Sequence, residues 1–190
     1  PHMPDVVTMP QHFMAHGYSA VGGGKIYHGR YPDPQSWQDY FPSQTKNKPN
    51  DPVPPDRPLN GIPRTSHFDW GPVDADDGEM GDWQVADWAI GELEKEHDKP
   101  FFLGVGFYRP HLPWYVPPKY FDKFPLDSIT LPNVKEDDLD DVPPAGRKMA
   151  IRATEVNEQT LAKCDHGKVV NTDNWRKAVQ GYLASINFVD

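Results

Sequence analysis

The chain has 190 residues, a formal net charge of −9 and one cysteine. Its acidic balance argues against nonspecific nucleic-acid binding, which depends on many Lys and Arg contacts to phosphate. With Cys164 alone, neither an intrachain disulfide nor a cysteine-based zinc site is possible. An aromatic content of 12% argues against disorder. No apolar run reaches about 18 residues, so we expect neither a membrane span nor a signal peptide.

The first predicted elements are a short helix and a short strand. Thr8 to Gly17 has a capping Thr at its start, a proline in its first turn and a glycine stop, which together are typical of a helix. Tyr18 to Gly22 reads as a strand that runs into three consecutive glycines. Glycines there allow another element or a ligand to approach the backbone closely.

Farther along, a helix is predicted over Asp82 to His97, with Asp82 as its N-cap. Its apolar face is made of Val85, Ala86, Ala89, Ile90 and Leu93. Phe101 to Phe107 is continuously apolar, which predicts a strand buried on both faces. A strand, a crossover with a helix and a second strand predict a parallel pair and an α/β fold.

The remaining chain contains long loops and a last helix. The 22 prolines gather mainly in the predicted loops at 31–66 and 112–147, and loops of this length are usually functional. A helix is predicted from Thr172 to Val189, and it has no stop signal before Asp190. We therefore expect the chain to be truncated at both ends, and to be only marginally stable alone because sheet edges and apolar faces would be uncovered.

Two basic motifs follow the two predicted strands. Lys25 and His28 come after the first strand, and Arg109 and His111 come after the second. Because open α/β sheets bind ligands at the carboxyl ends of their strands, the motifs should meet at one edge. A pocket with Lys25, His28 and His111 could hold a tetrahedral oxyanion. Either motif alone more often has a structural role.

On these motifs the chain resembles the sulfatase family of the alkaline-phosphatase superfamily, and most closely its iduronate-2-sulfatase-like branch. The segments that carry the resemblance occur in family order and extend through nearly the whole chain: Val7 to Phe13, His16 to Tyr18, Gly24 to His28, Lys99 to Trp114, Pro118 to Phe121, Pro125-Leu126, Ile129 to Pro132, Tyr182 to Ser185, and Asp190. The resemblance implies a partial alkaline-phosphatase-like sandwich, with a mostly parallel sheet, flanking helices and long Pro-rich loops. Residues 1–190 would form the central part of the N-terminal catalytic domain.

The resemblance also implies a mechanism. In such enzymes a Cys or Ser in a Cys/Ser-x-Pro-x-Arg motif is converted to formylglycine, whose hydrate attacks sulfur beside a bound calcium. Lys25 would contact the sulfate and the formylglycine, His28 would assist proton transfers, and His111 would bind the sulfate or protonate the leaving oxygen. Arg109 and Trp114, next to His111, are the candidates for substrate contact.

The sequence departs from the family pattern at the nucleophile, because no Cys/Ser-x-Pro-x-Arg occurs in it. We expect formylglycine and the calcium ligands to lie outside this chain. Asp165-His166-Gly167 looks like the family's metal-binding element. It comes before the Tyr182 to Asp190 helix, however, whereas the family's element comes after it, so an ordinary loop is the better interpretation. His12 and His16 have helical zinc-pair spacing without a third ligand, and they are better explained as surface histidines. Trp88 is predicted to serve packing.

Three functional hypotheses follow. The first is a sulfatase that acts on a sulfated saccharide, with this chain inactive without the remainder of the catalytic domain. The second is a noncatalytic module, or a degenerate relative, that binds a sulfated ligand. The third is a phosphoester or phosphonate hydrolase of the same superfamily. By resemblance alone, the location would be periplasmic, extracellular or lysosomal.

Overall fold

The structure is a computed structural model, and it describes residues 5–63 and 67–190. The chain divides into two compact units, with Pro1–Val53, Asp74–His111 and Val189 in the first, and Pro54–Val73, Leu112–Phe188 and Asp190 in the second. The strands are β1 Ser19–Gly24, β2 Asp39–Phe41, β3 Trp70–Pro72, β4 Phe101–Gly106 and β5 Trp114–Val116. The helices are α1 Met9–Ala15, α2 Gly81–Glu94, α3 Pro118–Asp122, α4 Pro144–Ile151, α5 Glu158–Lys163, α6 Asp165–Asn171 and α7 Trp175–Val189.

The first unit contains a parallel three-stranded sheet in the order β2-β1-β4. Strand β1 pairs with β4 from Ser19 opposite Phe101 to Gly24 opposite Gly106. Both strands therefore end at the same edge. The parallel pair and the α/β fold class are confirmed.

Helix α1 begins where the sequence predicts. Thr8 is the N-cap and forms a capping box with Gln11, whose side chain accepts a hydrogen bond from the Thr8 backbone N–H at 3.0 Å. Gly17 follows the helix at φ +85°, a left-handed conformation that suits glycine. His12 on this helix and His16 at its C-cap are both exposed, as expected for surface histidines.

Two predictions for helix α2 are wrong. The N-cap is Met80. Asp82 lies inside the first turn at 3% exposure, and its carboxylate accepts backbone N–H groups from another segment instead of capping the helix. The predicted apolar face is only partly covered: Val85 and Ala89 are buried, but Ile90 is 52% exposed and Leu93 is 60% exposed. From its second turn onward, helix α2 therefore exposes part of its predicted apolar face to solvent.

Strand β4 is also less enclosed than its composition predicts. Its residues are mostly half-buried, and Val105 is 40% exposed. A strand buried on both faces is therefore wrong for the residues described. Within residues 5–63 and 67–190 this sheet has three strands with β4 at one edge, which explains why its apolar side chains remain partly in solvent.

Glycines let large side chains pack directly on strand β1. A β-carbon added to Gly23 would lie 2.1 Å from the Trp88 ring, which occupies that space. Trp88 also stacks on Phe41 with ring centroids 5.5 Å apart. The packing role predicted for Trp88 fits these contacts.

The second unit has its own parallel pair, β3 with β5. Its core includes Trp70, Ile62, Val169 and Ala178. Asp69 is buried at 1% exposure and accepts backbone N–H groups from Leu59, Asn60 and Trp70.

Several segments predicted as loops contain regular structure. Strand β2 lies within 31–66, and β5, α3 and the first residues of α4 lie within 112–147. Asp165-His166-Gly167 forms the first turn of α6 and is not a loop. Asp165 there pairs with Arg152 at 2.9 Å and with Lys168 at 3.1 Å. Short elements with no strong periodicity are difficult to recognise from sequence, whereas the predicted last helix is confirmed as α7.

In the part of the chain that is described, no helix is both long and apolar enough to cross a membrane.

Candidate functional site

The two basic motifs leave the sheet at one edge, at the ends of β1 and β4. The Lys25 backbone N–H donates to the Gly106 carbonyl at 2.6 Å. Gly24 has φ +75°, and an added β-carbon would lie 1.8 Å from the same carbonyl oxygen. Only glycine fits this close crossing, so the local sequence fixes where the Lys25 side chain begins.

The Tyr108 ring is the feature around which this edge is arranged. The Lys25 ammonium lies 5.5 Å from the ring centroid, and the His111 ring centroid lies 4.7 Å away. The His111 backbone N–H donates to the Tyr108 carbonyl at 2.9 Å, which closes a turn. Lys25 and His111, predicted from separate motifs, therefore both contact the ring of Tyr108.

An ion cluster lies beside this ring. Asp51 pairs with Arg109 at 2.7 Å and with Lys48 at 2.6 Å, and it accepts the Gly81 backbone N–H at 2.7 Å. Burial by itself would raise the pKa of the Asp51 carboxyl, but Arg109 and Lys48 outweigh it and hold that pKa below its ordinary value of 3.8. Asp51 is thus a carboxylate near neutral pH.

Asp82 attaches the second motif to helix α2. Its carboxylate oxygens accept the backbone N–H of Tyr108 at 2.7 Å and that of Arg109 at 2.9 Å. Burial raises the pKa of the Asp82 carboxyl, and these two hydrogen bonds offset part of that effect. The backbone of Tyr108 and Arg109 is therefore held by a side chain from a separate element.

His28 lies in the bend that follows β1. Its side chain is exposed, its Nδ1 accepts the Arg30 backbone N–H at 3.4 Å, and its ring lies 6.0 Å from that of Tyr31. An exposed imidazole on the first motif is accessible to a ligand, and its assignment to proton transfer stays a prediction.

Arg109 differs from the expectation of an open substrate contact. The residue is 4% exposed, and its guanidinium is paired with Asp51. A buried guanidinium that is paired with a carboxylate suits a structural role in the wall of the site. Direct substrate contact by Arg109 stays a prediction.

Trp114 belongs to the second unit. Its ring lies 5.7 Å from Trp70 and 5.4 Å from Tyr182, and it lines a cavity of about 340 Å³. Other residues of that cavity include Phe68 and Trp175. Aromatic faces of this kind can stack on apolar faces of ligands. Substrate contact by Trp114 also stays a prediction.

Metal ions in proteins are held by groups of side chains such as His, Cys, Asp and Glu. Within 5–63 and 67–190, no three His, Cys, Asp or Glu side chains are grouped so that they could hold a metal ion. Asp51 and Asp82 are occupied by cations and backbone N–H groups of the chain.

Sequence reasoning missed Lys48, Asp51 and the role of Asp82. Lys48 and Asp51 lie in a proline-rich segment that has no recognisable motif. Asp82 carried a signal, because an acidic residue at a helix start is noticeable, but that signal was taken for an N-cap. An N-cap side chain accepts an N–H of its own helix, whereas Asp82 accepts the N–H of Tyr108. The two cases can be told apart only when the residue that donates the hydrogen bond is known.

Comparison with known proteins agrees with this arrangement. The family described as Sulfatase matches residues 1–190. A protein named Sulfatase from Formosa agariphila is 33% identical over 192 residues, which cover 98% of this chain and 36% of the relative. Iduronate 2-sulfatases of Mus musculus and Homo sapiens are each 31% identical over 208 residues, which cover 100% of this chain and 36% of theirs.

The chain thus spans about a third of the length of these relatives. The mixed α/β architecture, with parallel sheets and flanking helices, is that of a partial alkaline-phosphatase-like domain. Fold, family match and relatives agree, and the chain belongs to the sulfatase family.

Proposed function

We propose that the full-length protein that contains this chain is a sulfuric ester hydrolase acting on a sulfated saccharide, and that this chain contributes one basic wall of its site. The observation that carries the proposal is the meeting of Lys25 and His111 at Tyr108, at the edge where β1 and β4 end. Membership of the sulfatase family supports the reaction class.

The residue types suit sulfate-ester cleavage. Negative charge develops on the leaving oxygen and on the equatorial sulfate oxygens, so cationic donors already in place stabilise the transition state. The Lys25 ammonium would bind a sulfate oxygen as a point charge. His111 would bind the sulfate or donate a proton to the leaving oxygen, and His28 would move protons near neutral pH.

Formylglycine and calcium complete the proposal but lie outside this chain. When present, they supply the hydrated aldehyde nucleophile and a divalent cation for the sulfate. The residues of this chain would supply hydrogen-bond donors and protons to the sulfate ester, and they would not supply the nucleophile. Asp51 would hold Arg109 and Lys48 in place within the wall.

Support for a saccharide substrate comes from the relatives, two of which are named iduronate 2-sulfatase. Arg109 and Trp114 are the residues of this chain that we assign to contacts beyond the sulfate group. An aromatic ring such as that of Trp114 offers a flat apolar face, which matches the face of a sugar ring.

The test is sulfate release by the full-length protein, co-expressed with a formylglycine-generating enzyme, from a panel of sulfated sugars. Lys25→Ala and His111→Ala should each lower kcat by about a hundredfold or more, the scale of a lost charge-stabilising group or general acid. Lys46→Ala and His16→Ala, which remove exposed residues elsewhere, serve as matched controls.

The other hypotheses are outcomes of the same experiment. Turnover of phosphate esters in preference to sulfate esters would assign a phosphoester hydrolase. Binding of sulfated sugars without turnover would assign a binding module. Equal kcat for wild type, Lys25→Ala and His111→Ala would contradict the residue roles.

A further inference from the structure

We propose that Tyr108 is a positioning residue, whose ring holds the Lys25 ammonium and the His111 imidazole at one site while Asp82 fixes its backbone. The proposal rests on the proposed function for its kinetic consequence, but the arrangement itself can be measured without turnover. Neither the sequence motifs nor the relatives' names assign a role to this tyrosine.

The ring is placed for a cation–π contact with Lys25. The ammonium lies 5.5 Å from the ring centroid, within the roughly 6 Å over which such contacts act. Among the residues that the structure describes, no carboxylate forms an ion pair with Lys25. An aromatic face orients a cation without forming an ion pair with it, so the Lys25 ammonium remains available to pair with an anionic ligand.

The neighbouring cations differ from Lys25 in this respect. Lys48 and Arg109 also lie near the ring, at 5.2 Å and 5.7 Å, but both are paired with Asp51. Asp51 therefore offsets part of their charge and fixes where their side-chain nitrogens lie. Of the three cations around Tyr108, Lys25 is the one whose orientation depends on the ring.

His111 is tied to the same ring by its position in the turn. Its ring centroid lies 4.7 Å from that of Tyr108 at an interplanar angle of 42°, and its backbone N–H donates to the Tyr108 carbonyl. The turn begins at Tyr108 and Arg109, whose backbone N–H groups donate hydrogen bonds to the Asp82 carboxylate. One buried side chain therefore sets the start of the segment that carries both rings.

The phenol stays neutral under working conditions. Burial raises the pKa of the Tyr108 phenol, Arg109 opposes that rise, and Asp51 and Asp82 add to it. A neutral ring interacts with Lys25 through its face and has no negative charge for the ammonium to bind. Phenylalanine offers the same face, so the role should survive loss of the hydroxyl.

The experiment compares Tyr108→Phe with Tyr108→Leu in the full-length protein, with Tyr18→Leu as a matched control. Tyr18 packs on Phe13 in the same unit, at 5.1 Å between ring centroids. We expect Tyr108→Phe to retain kcat/KM within about twofold and Tyr108→Leu to lose about tenfold, the scale of one cation–π contact. Tyr18→Leu should lower the thermal midpoint without a comparable loss of kcat/KM.

A second readout does not require activity. The ring-proton resonance of His111, assigned by comparison with His111→Gln in protein labelled at histidine, should shift in Tyr108→Leu and stay in place in Tyr108→Phe, because the nearby aromatic ring shields it. Unchanged resonance in Tyr108→Leu would overturn the positioning role. So would an equal loss of kcat/KM in both Tyr108 variants, since the hydroxyl would then be the active group. If wild type shows no sulfate release, the proposed function fails while the resonance still decides the role of Tyr108.

Discussion

At the scale of single residues, the wall of the site depends on two carboxylates with different roles, the half-buried Asp51 and the buried Asp82. Asp51 pairs with two cations and offsets part of their charge, whereas Asp82 accepts backbone N–H groups. Their pKa values move in opposite directions, because nearby cations favour the charged form of Asp51 and burial dominates at Asp82. Substitutions at the two positions should therefore have distinguishable effects.

Asp51→Asn should destabilise the protein by about 3 kcal/mol near neutral pH, since it removes the counter-charge of buried cations. The folded-state pKa of Asp51 is lowered, so its contribution to stability is full above its ordinary value of 3.8 and is lost as pH falls below it. The thermal midpoints of wild type and Asp51→Asn, measured from pH 3 to pH 7, should therefore converge at the acid end. A constant difference across that range would contradict the ion-pair role.

Asp82→Asn should weaken the hold on the second motif, because an amide offers one acceptor oxygen in place of two. We expect kcat/KM for sulfate release to fall about tenfold, on the scale of one hydrogen bond to a charged group. Glu92→Gln is the matched control, since Glu92 is a buried carboxylate at the far end of the same helix. Equal losses in both variants would point to general destabilisation of α2.

At the scale of elements, the placement of both motifs depends on the contact between the ends of β1 and β4. Gly24 and Gly106 face each other in the last register pair, and each leaves too little space for a side chain. The glycine run that follows Val21 is therefore a packing requirement of the sheet. It also fixes the direction in which Lys25 leaves the strand.

Gly24→Ala tests this contact, with Gly17→Ala as its control. Both glycines have positive φ, but an added β-carbon meets nothing within 4 Å at Gly17 and a carbonyl oxygen at 1.8 Å at Gly24. Gly17→Ala should cost about 1 kcal/mol in the free energy of unfolding, from backbone strain alone. Gly24→Ala should cost at least about 2 kcal/mol more, because the strands must separate. Chemical denaturation measures both, and similar costs would exclude a steric role for Gly24.

At the scale of the whole molecule, the chain matches the sulfatase family from end to end but covers 36% of the length of its relatives. Its 190 residues contain no Cys/Ser-x-Pro-x-Arg, and in their described part no three His, Cys, Asp or Glu side chains are grouped so that they could hold a metal ion. Exposed apolar side chains such as Ile90, Leu93 and Val105 remain on the first unit. The proposal of sulfate-ester hydrolysis therefore concerns the full-length protein.

Residues 1–190 expressed alone should release no sulfate from a substrate that the full-length protein cleaves, because the nucleophile is expected elsewhere. They should also bind a hydrophobic dye and associate in gel filtration, since the apolar surface is exposed. A monomer with a sharp thermal transition and no dye binding would contradict the expectation of marginal stability. Sulfate release by the isolated chain would contradict the placement of the nucleophile.

Local signals explain which elements could be predicted. Thr8, Pro10 and Gly17 mark the ends of α1, and the 3.6-residue periodicity marks α7. The short strands β2, β3 and β5 have three residues each and carry no comparable pattern. Burial on α2 and β4 was overestimated because composition cannot show how many neighbours a face has.

The sequence by itself determined the α/β class, the parallel pairing of β1 with β4, and hence that Lys25 and His111 start from one edge. These conclusions follow from local patterns and from the rule that a crossover returns the chain parallel. Only the tertiary structure decided that Arg109 pairs with Asp51, 58 positions away, and that Asp82 holds a backbone 27 positions away. Such contacts have no local signature, because each partner also fits an ordinary solvated loop or helix cap. The meeting of Lys25 and His111 at the Tyr108 ring belongs to the same group, since it requires the folded sheet.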